Sequence, residues 1–172
     1  SSQPTRYYAV IDQTGQNLAE VIQASQRAER RERARRMLER LTEARGAEVT
    51  ERALAAFDMD PDGLGGLDAA LEEAGLSGAR GIVAPDGDDS VMVGAPGRDV
   101  EALRPYLTGE RTVTTPDGER ALFAVFLIED DADASLSVTY LSTNVTASEL
   151  RNDIVSALRS HLREQAFVER GL

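Results

Sequence analysis

At 172 residues the chain can bury a real core without metal or disulfide staples, and its lack of cysteine excludes disulfides, thiolate catalysis and cysteine-bound zinc or iron–sulfur sites. Its 19 basic residues, all arginine, stand against 30 acidic ones, and the net charge of −11 argues against nucleic acid or anionic lipid as a main partner. No run approaches the ~20 apolar residues of a membrane helix, and the opening SSQPTRYY has no signal-peptide core.

In chain order, Arg6 to Ile11 (RYYAVI) combines aromatic and branched residues and ends in the turn sequence Asp12-Gln13-Thr14-Gly15, so it reads as a first strand. Helical spacing follows at Leu18, Val21, Ile22, Ser25 and Ala28, fails through Glu29 to Arg36, and resumes at Met37, Leu38 and Leu41. The prediction is one long helix whose middle turns are solvated on most sides. Between Arg27 and Arg45 lie eight arginines and four glutamates, 8 − 4 = +4, the one basic patch of an acidic chain. Gly46 ends that helix, and Val49 to Phe57 fits either a short helix or a strand. Leu67 to Leu76 reads as a short helix stopped by Gly75. From Phe57 to Ser90 there are nine acidic residues and one arginine, 1 − 9 = −8, so this segment complements the arginine-rich helix electrostatically.

Two hairpins are expected next. Gly81 to Ala84 and Ser90 to Gly94 flank Pro85-Asp86-Gly87, and Glu110 to Thr115 and Glu119 to Ile128 flank Pro116-Asp117-Gly118. Between them Asp99 to Leu107 is a helical candidate closed by Gly109. The last third carries the strongest local signals. Ala121 to Ile128 (ALFAVFLI) is eight apolar residues in a row, the composition of a strand covered on both faces. Ser135 to Leu141 (SLSVTYL) alternates, with Leu136, Val138 and Tyr140 on one side, as in a strand nearer an edge. Thr146 and Glu149 form a capping box, and Leu150, Ile154, Leu158 and Leu162 repeat every four residues along the helix that follows, up to Gly171.

Few residues carry chemistry. Asp58, Asp60, Asp62 and Gly63 match the opening of a calcium loop, with carboxylates at positions 1, 3 and 5 and glycine at 6. Position 12 is Ala69 where the bidentate glutamate belongs, which favours an acidic surface loop. His161 is the lone histidine, with no marked nucleophile or orienting acid, and reads as a solvated helix residue. Gly94-Ala95-Pro96-Gly97-Arg98 lacks the lysine and hydroxyl of a phosphate loop and reads as a turn. The arginine patch reads as a solvated or intramolecularly paired face. No catalytic constellation and no cofactor are expected.

The run VTYLSTNVTASELRNDIVSALRSHLREQAFVERGL resembles the stretch before the second membrane span in permeases of type-2 ATP-binding-cassette exporters of the NatB sodium-efflux kind, with Tyr140, Ser142, Asn144, Glu149, Leu150, Arg151, Leu158, Gly171 and Leu172 in the matching places. YAVIDQTG, Tyr8 to Gly15, is similar to that family's first strand and turn. The resemblance implies an extracytoplasmic domain in the cell membrane's exporter, held between two transmembrane helices of its own chain, with the ATPase on a separate subunit and homodimer contacts open. It assigns no ligand-binding residue. It also accounts for a start without methionine and an end just past a glycine. The alternative is an extracytoplasmic ligand-sensing domain of a membrane receptor or histidine kinase. A hydrolase is disfavoured by the missing nucleophile motif. The expected fold is a single α/β (α+β) domain with a mixed sheet. Its strands lie near Tyr7 to Ile11, Gly81 to Gly94, Arg111 to Thr115, Ala121 to Ile128 and Leu136 to Leu141, flanked by a long N-terminal and a C-terminal amphipathic helix.

Overall fold

A computed structural model describes residues 4–85, 90–133, 135–143 and 148–171. It is a mixed α/β structure, as the alternation of strand and helix signals predicts. The chain divides into two compact units, one built from residues up to Gln23 and from Ser90 onward, the other from Ala24 to Pro85. Each has its own apolar core.

The first unit is organised around β1 (Arg6–Asp12), which is central because five consecutive residues of it, Tyr7 to Ile11, are buried. On one side β1 pairs in parallel with β2 (Ser90–Val93), and on the other in parallel with β5 (Ala124–Asp130), which pairs antiparallel with β6 (Leu136–Leu141). The order is thus β2-β1-β5-β6. Alternation along the strands divides the buried residues between two faces. Tyr8, Val10, Phe126 and Ile128 look toward Leu18 and Ile22 of helix α1 (Leu18–Glu43) and toward Leu150, Ile154 and Leu158 of helix α6 (Ser148–Glu169). Ala9, Ile11 and Val125 look toward Leu103 of helix α5 (Val100–Thr108), Val113 and Leu122. Phe126 meets Tyr8 edge-on at 5.7 Å between ring centroids, and its burial stabilises the unit by roughly 1.5–3 kcal/mol.

A separate hairpin, β3 (Val113–Thr115) with β4 (Gly118–Arg120), turns through Pro116 and Asp117 as expected. The Tyr7 hydroxyl donates to Asp117 at 2.6 Å, and the Phe123 amide donates to the Tyr7 carbonyl at 2.7 Å, fastening the hairpin to the start of β1. The apolar octet is therefore not one strand. Ala121 to Phe123 leave the hairpin, and only Ala124 onward joins the main sheet, where both faces are covered. Asp99 caps α5 by accepting from the Ala102 amide at 2.8 Å, and Gly109 closes that helix in the left-handed region at φ 85°. On α6 the buried stripe runs from Leu150 to Leu158, with Leu162 half-buried. The capping threonine, Thr146, lies outside the described residues.

The second unit is helical. The α1 residues from Ala24 on contribute Ala34 and Leu38 to a core with Phe57 of α2 (Ala47–Asp58), Leu67 and Leu71 of α3 (Leu67–Glu73) and Val83 of α4 (Arg80–Val83). Val49 to Phe57 is thus helix. Gly81 to Ala84 corrects the sequence reading: the Val83 and Ala84 amides donate to the carbonyls of Ala79 and Arg80, closing a short helical turn where a strand was expected. Of the strand expected from Gly81 to Gly94 only β2 forms, and the expected turn residues Asp86 and Gly87 lie outside the described residues.

Candidate functional site

The sheet reverses its strand order at β1. The chain leaves β1 on the α1 face, returns in parallel as β2 on one flank, then crosses by way of α5 on the opposite face to β5 on the other flank. In open α/β sheets, ligands bind outside the carboxyl ends of the strands at such a reversal. Here those ends belong to β1 and β5, and the Gln13 amide donating to the Ile128 carbonyl at 2.9 Å ties them together.

Asp12 shapes the loop that follows β1. Its carboxylate accepts from the Thr14 amide at 2.8 Å, the Thr14 hydroxyl at 2.6 Å and the Leu18 amide at 2.6 Å, so it both forms the turn and satisfies an orphan donor at the start of α1. Partial burial pushes this carboxyl up, but the hydrogen bonds from Thr14 and Leu18 outweigh it and hold the group below the ordinary aspartate range. Gly15 at φ 74° and Asn17 at φ 56° complete the turn, both residue types that tolerate the left-handed region.

This loop presents Gln16 to the last turns of α6, and between them lies an open cleft of about 640 Å³ lined by Gln16, His161, Glu164, Gln165, Val168 and Glu169. The five α6 residues recur at i, i+3, i+4, i+7 and i+8, which is one face of a helix. Two carboxylates, two amides and one imidazole converge there. The arrangement can hydrogen-bond and attract positive charge. It pairs His161 with no serine, threonine or cysteine nucleophile in the lining. The sequence singled out His161 alone. The stripe around it is legible as helical spacing, but nothing local signals that Gln16 would face it, because that approach depends on how α6 lies over the sheet.

Elsewhere the acidic loop after α2 is held by arginines of its own unit. Asp58 accepts from Arg35 at 3.0 and 3.2 Å and from Arg31 at 3.2 Å, and the Arg35 hydrogen bond is the leading cause that holds its carboxyl below the ordinary range. Arg31 also donates to the carbonyls of Asp60 and Gly63 at 2.8 Å and stacks over Phe57 at 4.3 Å. Asp60 accepts from the Asp62 amide. The Asp58 carboxylate therefore faces arginine and that of Asp60 faces backbone, and among the described residues no group of three acidic or histidine side chains is placed to hold a metal ion. Arg45 caps α3 by donating to the Ala74 carbonyl at 2.8 Å. The arginine patch and the acidic segment thus meet within the second unit, as their opposite charges predict.

No family model matches the chain, and no match was found among curated proteins or solved structures. Among the described residues no helix is long and apolar enough to cross a membrane.

Proposed function

We propose that this chain is a non-enzymatic binding domain whose ligand occupies the cleft between the β1–α1 loop and the end of α6. The observation that carries the reading is the position of that cleft at the carboxyl edge of the sheet, where its strand order reverses. The cleft is open to solvent, and its lining offers orienting polar groups without a nucleophile–base pair. This is the ligand-sensing reading of the sequence. A two-dimensional NMR screen against mixed metabolites tests it: shifts clustered at Gln16, His161 and Gln165 support it, and shifts clustered elsewhere or absent at millimolar ligand refute it.

The exporter reading stands second. What favours it, beside the end motifs, is that Phe167 and Val168 near the end of α6 are 58% and 77% exposed, as suits a helix that hands the chain to an apolar environment. In that setting the partners are the permease's own transmembrane helices and a separate ATPase subunit, and the location is the outer side of the cell membrane. Its ranking follows from direction: the carboxyl-terminal turns of α6 lie beside the loop at the carboxyl end of β1, whereas β1 itself starts at the opposite edge of the sheet. Reading the gene outward decides the matter, since the exporter requires a hydrophobic span on each flank.

A further inference from the structure

Natural sheets blunt their open edges with charge, proline, bulges or brevity, because an unpaired row of amides and carbonyls templates another strand. β6 uses none of these. It is six residues long, ends the sheet, and pairs among the described residues with β5 alone. It also lies inside the longest uncharged stretch of the sequence, Ala134 to Ser148, in a chain of net charge −11. Two copies of so acidic a chain repel one another over most approaches, whereas along β6 itself the facing residues carry no charge.

The strand is also complementary to itself. In an antiparallel pairing centred on Val138, Leu136 of one copy faces Tyr140 of the other, and Ser137 faces Thr139, so apolar side chains meet apolar ones on one face and hydroxyls meet hydroxyls on the other. Each contact occurs twice about a two-fold axis, which is the form of an isologous interface. We propose that β6 is the seam of a homodimer, joining two four-stranded sheets into one continuous sheet in the order β2-β1-β5-β6-β6-β5-β1-β2. The occupant of the edge is a second copy of this chain.

Sedimentation equilibrium over a concentration series, with two double variants, tests the seam and its register together. In the Ser137→Lys/Thr139→Lys chain like charges face each other twice across the seam, and dimerisation should weaken roughly tenfold. In the Ser137→Lys/Thr139→Glu chain each lysine faces a glutamate, so the dimer should persist at wild-type strength or better. If the first variant fails to fold by circular dichroism, Ser137→Glu/Thr139→Glu carries the same test with the sign reversed. A wild-type chain that stays monomeric throughout overturns the proposal. So does a dimer that responds identically to the like-charged and opposite-charged pairs, because its contact then lies on another surface.

Discussion

Much of the local geometry rests on single residues. Asp12 accepts three hydrogen bonds that build the β1–α1 loop, so Asp12→Ala should cost about 1–2 kcal/mol in urea denaturation and disturb the Gln16 side of the cleft. Because its folded carboxyl lies below the ordinary value, the unfolded chain binds more protons in that range. The Asp12 contribution is therefore complete above the ordinary aspartate value of about 3.9 and fades as pH falls through the lower folded value; the variant should lack that part of the acid limb. Arg31 reaches carbonyls of Asp60 and Gly63, the Asp58 carboxylate and the Phe57 ring at once, a planar fork that lysine cannot reproduce. Arg31→Lys should destabilise by about 1–3 kcal/mol, read as a lowered urea midpoint. At Gly66 an added Cβ would stand 2.4 Å from the Phe57 carbonyl oxygen and 2.9 Å from that of Ala56, both backbone atoms of a packed helix. Gly66→Ala should therefore lose about 1–3 kcal/mol, whereas Gly81→Ala, in open space on α4, should be neutral or gain up to about 1 kcal/mol.

Among the elements, α1 follows its own pattern at both ends and departs from it in the middle. Leu18 and Ile22 are buried at its start and Leu38 further on, as the apolar spacing predicts, and Arg27 to Arg30 are exposed, but within the Glu29 to Arg36 gap Ala34 enters the core and Arg31 and Arg35 are half-buried. Native-state hydrogen exchange should find the amides of the middle turns less protected than those on either side, and uniform protection would refute the account. Gly81 to Ala84 departs throughout. GIVA is four apolar or small residues beside a turn sequence, a pattern that fits strand and buried helix equally, and the choice was made by Val83 entering the core with Leu67 and Leu71. The octet Ala121 to Ile128 was divided for a comparable reason: Leu122 belongs with Leu103 and Val113 under the small hairpin, while Ala124 onward fills the sheet. Local hydrophobicity marks these residues as buried but does not say in which layer.

On the scale of the whole molecule, a net charge of −11 leaves repulsion that the ion pairs do not remove, since pairs such as Arg80–Asp68 and Arg104–Glu101 are exposed and individually weak. Raising salt from about 0.05 to 0.5 M should accordingly raise the thermal midpoint, as the Debye length falls below the spacing of the excess carboxylates. The sequence by itself determined the fold class, β1, the two long helices, the alternation of β6, and the complementarity of the arginine patch with the acidic segment. Each of these rests on a short-range period or on net charge, which need no knowledge of the rest of the chain. Only the tertiary structure decided that Asp58 faces Arg31 and Arg35, that β1 sits at the reversal of strand order, and that Gln16 meets the His161 face of α6. Those facts depend on pairings between residues far apart in sequence, which are set by how helices and strands bury one another's apolar faces and leave no local trace.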